Sequence, residues 1–207
     1  LEVQSRTIAR IAVEGDERVV ETTEGPLRAK TVIVASGGSP RKLQVPGEQE
    51  FSGKGLSYCA ICDAPLFRNK QVCVVGGGDS AAEEATMVSK YADKVYLIHR
   101  RDQLRAQKIL QERLFADPKI EMIWDTVVQE IEGNEVVEWV QLPNAKTNQS
   151  RRLACQGVFI AIGFEPNSDL FREPIRKDAR GYLVTDSVMQ TTIPGIFAVG
   201  DVRSQLC

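Results

Sequence analysis

One short segment, Gln71-Val72-Cys73-Val74-Val75-Gly76-Gly77-Gly78-Asp79-Ser80-Ala81, constrains the fold of this chain more than any other. An apolar run ends in glycines, and a helical pattern begins directly after them. Gly76-x-Gly78-x-x-Ala81 is the strand-turn-helix fingerprint with Ala in its third place. The first glycine serves a tight turn and the second the close approach of a pyrophosphate. A small third residue lets the helix pack on the strand, and the helix N-terminus faces the phosphates. A bland glycine-rich loop is the alternative. The apolar strand before the turn and the helix after it favour a dinucleotide site.

The rest of the pattern alternates strands and helices. Thr7–Val13 and Arg18–Thr22 read as strands separated by a Gly15-Asp16 turn, and Leu1-Glu2-Val3 as a strand at the start. Thr31-Val32-Ile33-Val34-Ala35 is a continuous apolar run, expected to be buried on both faces. Segment 41–57 reads as connector. A helix is expected over about Ser80–Tyr91, with Ala82, Ala85, Val88 and Tyr91 at helical spacing. Lys94–Ile98 is the next strand, and Asp102 could cap a helix reaching about Phe115. Ile120–Trp124 begins a run of strands through Leu142. Pro143–Arg152 reads as an exposed hairpin loop, Gly157–Ile162 as a buried strand ended by Gly163, and Gly195–Asp201 as the last strand signal.

The end of the second strand selects the nucleotide. NAD sites place a carboxylate there for the ribose 2′-hydroxyl, and NADP sites place cations for the 2′-phosphate. Here Val95-Tyr96-Leu97-Ile98 runs into His99-Arg100-Arg101, with Arg105 one helical turn later. Forked guanidinium donors suit phosphate. A solvated basic helix start explains them poorly, because cations at a helix N-terminus oppose its dipole. NADPH is the expected cofactor.

Upstream of the turn lies Cys59-Ala60-Ile61-Cys62-Asp63. Such a pair can be redox-active, half a zinc site, or incidental. Zinc needs about four ligands, whereas there is one such pair and the single His belongs to the nucleotide motif. A redox pair needs an accessible thiol and a nearby acid/base; the adjacent Asp63 could serve, although a lone Asp is by default a cap or turn residue. Cys73 and Cys155 read as buried small apolar residues, and Cys207 has no assigned role. The five cysteines are irregularly spaced, which does not suggest a secreted disulfide framework and favours a reducing cytoplasm. With 26 basic and 28 acidic residues, the charge gives no reason to expect a nucleic-acid partner. No apolar run approaches the roughly 18 residues of a membrane span. The absence of an initiator Met suggests the middle of a longer protein.

Three motifs in this order resemble the low-molecular-weight thioredoxin reductases: Tyr58–Asp63, Gly76–Ala85 and His99-Arg100-Arg101-Asp102-x-x-Arg105-Ala106. Two flanking pieces, Thr31–Gly37 and Gly195–Val202, resemble segments of the family's FAD domain. The resemblance implies an α/β fold: a Rossmann-like, doubly wound NADPH-binding domain with an antiparallel β-meander, flanked by incomplete pieces of a similar FAD domain. Residues 1–43 and 164–207 would be the FAD pieces, and 44–163 the NADPH domain with the dithiol. Hinge strands would lie at Glu48–Ser52 and Phe164–Asn167. The resemblance implies that NADPH passes hydride to FAD, that flavin reduces the disulfide through Cys62 with Asp63 as acid/base, and that Cys59 attacks thioredoxin. Implied cofactor contacts are Gly76, Gly77, Gly78, Asp79, Ser80, Ala81, Glu84, His99, Arg100, Arg101, Arg105, Ile162 and Gly163, with Gly200 and Asp201 toward the flavin; no metal is implied. The parent protein would be a homodimer acting on thioredoxin or a thioredoxin-like disulfide protein. Only one glycine-rich fingerprint occurs, so the chain as given is expected to bind NADP(H) but to retain little FAD. Two alternatives stay open: the flavoprotein module of a peroxide-reducing system, and a non-catalytic NADP-binding fragment.

Overall fold

The computed structural model describes residues 2–171 and 174–204. Leu1 and Cys207 lie outside the described residues. The chain divides into two compact units, Leu1–Ser39 with Phe164–Cys207, and Pro40–Gly163. The first unit opens with β1 (Ile8–Glu14), β2 (Glu17–Thr22) and β3 (Leu27–Ala29), an antiparallel sheet in that order. The strand expected at the start does not form: Glu2 to Thr7 is irregular, and Val3 is exposed with no face to bury it. Next come β4 (Val32–Val34) and β5 (Gly38–Pro40).

The second unit contains, in order, β6 (Leu56–Ser57), α1 (Ala60–Asp63), β7 (Gln71–Gly76), α2 (Asp79–Ser89), β8 (Lys94–Ile98), α3 (Lys108–Ala116) and β9 (Ile120–Ile123). It continues with β10 (Glu130–Gly133), β11 (Val137–Pro143), β12 (Ser150–Ala154) and β13 (Gly157–Ala161). The chain returns to the first unit through β14 (Phe164–Pro166) and β15 (Ile196–Ala198), which pair with β5 and β4 respectively. Thr31–Ala35 was expected to be buried on both faces, yet Ile33 is 68% exposed. Ile33 points to the face of β4 opposite buried Val34, and that face is open.

Five strands of the second unit form a parallel sheet in the order β6-β13-β7-β8-β9, and β10-β11-β12 form an antiparallel meander. This is the expected α/β, Rossmann-like arrangement. The two-residue period of the strands sorts their side chains into two cores. Val72, Val74, Val95, Leu97 and Phe159 pack with Ala60, Ala81, Ala85, Val88 and Leu114 of the helices. Cys73, Val75, Ile98, Val158 and Ile160 pack with Ile131, Val137, Val140 and Leu142 of the meander. Helices thus cover one face of the sheet and the meander covers the other. Each fully buried Val or Leu stabilises the fold by ~1.5–3 kcal/mol, an upper estimate.

Two local expectations are corrected. The helix expected from Asp102 starts at Lys108, because residues 102–107 are held as a loop: the Arg105 N–H donates to the Gly77 carbonyl and the Gln107 N–H to Asp79 Oδ1. The run of strands expected from Ile120 forms as β9, the edge of the parallel sheet, followed by the meander strands β10 and β11. Cys155 is buried between β12 and β13, as expected of a small apolar residue. Glu48–Ser52 forms turns, not a hinge strand. The buried Glu48 carboxylate accepts from the Leu43 and Gln44 N–H groups and the Tyr58 hydroxyl, and Phe51 inserts into the meander-side core.

Candidate functional site

β7 delivers the glycine turn to the carboxyl edge of the parallel sheet, at the point where strand order reverses. β13 lies on one side of β7, and β8, then β9, on the other. Ligands of open α/β sheets sit at such a switch point. The three glycines there do different work. A Cβ on Gly76 would stand 2.4 Å from the Ala161 carbonyl oxygen and 2.6 Å from Ala81 Cβ, so β7, β13 and α2 converge on it. A Cβ on Gly77 would meet the His99 ring at 2.1 Å. A Cβ on Gly78 would meet nothing within 4 Å. Gly78 is the N-cap of α2 and supplies no side-chain cap. The first-turn N–H groups therefore face open space, where a ligand's phosphates can take them.

His99, at the end of β8, is buried below this turn; its Nε2 lies 3.0 Å from the Gln103 carbonyl oxygen, and Trp124 meets its ring edge-on. Arg100, Arg101 and Arg105 are exposed, and no described carboxylate takes their guanidinium groups. Strand register puts Ile98 beside Val75, so these cations leave the same sheet edge as the glycines. Arg105 is drawn in further by its N–H bond to Gly77. Asp79 faces away from a ligand role in this state: both its oxygens accept from Gln107, which holds its carboxyl below the usual range. Ser80 is exposed and Ala81 fully buried. Ile162 and Gly163 follow β13 at the same edge, where the Gly163 carbonyl accepts from the Arg41 N–H.

Glu84 lies one turn along α2 from Ser80. Its Oε2 is buried without a hydrogen-bond partner, and burial pushes its carboxyl up to about 7. Sequence pattern gave no sign of this titration. Gly200 and Asp201 belong to the other unit, in a 3-10 turn after β15, and Asp201 is exposed.

The dithiol sits at the start of α1. Cys59 and Cys62 are disulfide-bonded with Cα atoms 5.4 Å apart. Cys59 is the N-cap, its Sγ accepting from the Cys62 N–H at 3.2 Å. Ser57 Oγ accepts the Cys59 N–H at 3.0 Å and donates to Asp63 Oδ2 at 2.6 Å, so one hydroxyl links the cap to the candidate acid/base. Sequence reasoning missed Ser57. Cys62 is exposed and Cys59 half-buried, and exposed Ile61 and Leu66 flank the pair. Asp63 and Ser57 also line a pocket of about 320 Å³ shared with Lys54, Leu66 and Lys70. α1 packs on α2, with Ala60 and Ala64 in the same core as Ala81, Ala85 and Val88. Cys73 and Cys155 are free and fully buried, and the Cys155 thiol and burial push the Cys73 thiol up. Among the described residues no His, Cys, Asp and Glu cluster could hold a metal ion, and no helix is long and apolar enough to cross a membrane.

The sequence profile described as pyridine nucleotide-disulphide oxidoreductase matches residues 3–206. A thioredoxin reductase of Peptoclostridium acidaminophilum is 42% identical over 202 residues, covering 95% of this chain and 64% of the relative. One of Treponema pallidum is 47% identical over 186 residues, covering 90% and 60%. Among solved structures, Lactococcus lactis thioredoxin reductase in its FR conformation superposes with a TM-score of 0.85 at 41% identity, covering 98% of this chain and 67% of that one. Thioredoxin reductase of Streptococcus pyogenes gives 0.80 at 47% identity, covering 98% and 66%. The chain thus spans about three fifths of the length of the curated relatives it matches.

Proposed function

This chain belongs to the pyridine nucleotide-disulphide oxidoreductase family, and from that premise we propose that it is the dithiol-bearing part of an NADPH-dependent flavoprotein that reduces the disulfide of thioredoxin. The observation that carries the reading is the packing of disulfide-bearing α1 on α2, the helix that the nucleotide turn opens. Residues 44–163 serve as the NADPH-binding domain, and 1–43 and 164–207 as parts of a FAD-binding domain. The names of the relatives support the substrate, and the free, buried Cys73 and Cys155 suit a reducing compartment.

The nucleotide site fits NADPH. The open face at Gly78 and the uncapped start of α2 accept the pyrophosphate, and Arg100, Arg101 and Arg105 offer unengaged donors to a 2′-phosphate. When bound, the nicotinamide supplies a hydride, two electrons at once. The described residues of the first unit do not fit FAD in the same way. They bring Gly200 and Asp201 but no glycine turn opening an α-helix.

The exchange chemistry belongs to α1. In the reduced state a cysteine thiolate attacks the partner's disulfide, giving a mixed disulfide and one partner thiolate. The second cysteine then attacks the mixed disulfide, re-forming the Cys59–Cys62 bond and releasing the partner as a dithiol. Asp63, held by Ser57, accepts and returns the proton. The resemblance assigns the first attack to Cys59, whereas the greater exposure of Cys62 favours the reverse order. Two measurements test the proposal. A reduced Cys62→Ser chain mixed with a thioredoxin that keeps one active-site cysteine, activated as a mixed disulfide with thionitrobenzoate, should release thionitrobenzoate and form a stable mixed disulfide through Cys59; trapping only with Cys59→Ser reverses the roles, and trapping with neither removes thioredoxin as substrate. By calorimetry, Arg100→Ala/Arg101→Ala should weaken NADP+ at least ~tenfold, since each charge-assisted bond contributes ~1.5–3 kcal/mol, while NAD+ barely changes. Equal losses for both would refute the phosphate assignment.

A further inference from the structure

The basic loop after β8 carries its own competitor. Asp102 follows Arg101 directly, and Asp125, in the segment after β9, lies against the same loop, its N–H donating to the Arg101 carbonyl. A carboxylate is a good bidentate acceptor for guanidinium. Left free, either could occupy the donors that a 2′-phosphate needs, and both would repel a dianion. Neither engages an arginine in the structure. Both are held by one ammonium from a distant part of the chain: Lys146 Nζ stands 2.9 Å from Asp102 Oδ2 and 3.0 Å from Asp125 Oδ1.

The placement of Lys146 is built, not incidental. It lies in the tip between β11 and β12, the segment that reads from sequence as an exposed hairpin loop. Asn144 Oδ1 accepts the N–H groups of Lys146 and Thr147, closing the tip on itself. The Ala145 N–H donates to the Asp125 carbonyl, and Thr126 bridges to Asn144. Asp125 adopts φ +51°, a left-handed conformation uncommon for Asp, which the Arg101 and Ala145 backbone bonds hold from both sides. The meander therefore reaches round to the nucleotide-selecting loop and ends there in a cation.

We infer that Lys146 is a specificity-determining residue for the 2′-phosphate: by holding Asp102 and Asp125 it keeps Arg100 and Arg101 free for the phosphate and offsets part of the negative charge around them. The inference rests on the NADPH reading above. Lys146 acts through its neighbours, so it is a positioning residue. Its effect should fall on ligands that carry the 2′-phosphate and spare those that lack it.

The test is calorimetry of the purified chain with 2′,5′-ADP, which carries the phosphate, and 5′-AMP, which does not. Lys146→Gln should weaken 2′,5′-ADP about three- to tenfold, the scale of one or two exposed charge interactions, and leave 5′-AMP within twofold. Lys146→Arg should restore binding. Adding Asp102→Asn to Lys146→Gln should recover part of the loss, because one of the two competing carboxylates is then gone. That recovery is not expected if Lys146 merely braces the hairpin. Unchanged 2′,5′-ADP binding in Lys146→Gln, or a loss that Asp102→Asn does not relieve, overturns the inference. Arg100→Ala/Arg101→Ala is the control. If it discriminates between the ligands while Lys146→Gln does not, only the inference falls; if it too fails to discriminate, the NADPH reading falls with it.

Discussion

Two glycines, two residues apart, should respond to the same substitution for opposite reasons. In Gly76→Ala the new methyl stands 2.4 Å from the Ala161 carbonyl oxygen and 2.6 Å from Ala81 Cβ. Both contacts are roughly 1 Å short of ordinary van der Waals separation. Neither neighbour can rotate away, because one is the backbone of β13 and the other lies in the first turn of α2. Strand and helix must part, which costs ~1–3 kcal/mol or more. For a chain of this size that lowers Tm by about 2–12 °C.

Gly78→Ala meets no such obstacle. Its φ of −98° and ψ of −172° suit any residue, and nothing lies within 4 Å of the added methyl. Reduced freedom of the unfolded chain stabilises by ~0.4–1 kcal/mol, and the poorer helix cap offsets a similar amount. Tm should therefore move by less than about 3 °C. NADP+ affinity should nonetheless fall at least ~tenfold, because the methyl occupies the space through which backbone approaches the pyrophosphate. Thermal melts and calorimetry on both variants separate the cases. A Gly78→Ala chain that melts as low as Gly76→Ala, or that binds NADP+ as the parent does, refutes this division of labour.

Thiol accessibility should follow burial: after mild reduction, native alkylation should label Cys59 and Cys62 but spare Cys73 and Cys155 until denaturant is added, as peptide mapping would show. Labelling of Cys73 in the native chain would contradict the closed meander-side core. Burial raises the Glu84 carboxyl from 4.5 to about 7, so the folded chain holds a proton that the unfolded chain gives up; stability present below pH 4.5 is lost as pH rises through about 7. Melts of Glu84→Gln should therefore gain more, relative to the parent, at pH 8 than at pH 5, and an equal difference at both would place the titration elsewhere.

The parallel sheet was legible because its strands are short apolar runs bounded by glycine and charge, and the turn because Gly76, Gly78 and Ala81 fall between a strand and a helix. The start of α3 was not legible. Asp102 looks like a helix cap by local rule, but the loop it begins is set by bonds to Gly77 and Asp79, some 25 residues away in sequence, and Asp102 itself is taken by Lys146. Likewise Ile33 sits in a run that reads as doubly buried, and only its exposure in the structure reveals an open face. In the site, the Cys59/Cys62 pair and the arginines could be found by residue type and spacing. Ser57 could not, since a lone serine two residues before a cysteine carries no pattern. Its role appears only when the chain turns Asp63 back toward it.

The link between dithiol and nucleotide turn is made of small residues, which explains why the two motifs occur so close together. α1 has four residues, far too few to be stable by itself. Its position is therefore dictated by what it packs on. Ala60 and Ala64 let it lie close against α2, where Ala81, Ala85 and Val88 form the opposing surface. Ala81 is also the third position of the fingerprint, where a small side chain lets α2 approach β7 and Gly76. One alanine thus stands between the sheet, the nucleotide helix and the core under the disulfide. A larger side chain at residue 81 would push α2 off β7 and move α1 with it. The geometry of the disulfide is in this sense an outcome of nucleotide-site packing, and variants that displace the first turn of α2 should disturb thiol exchange and nucleotide binding together.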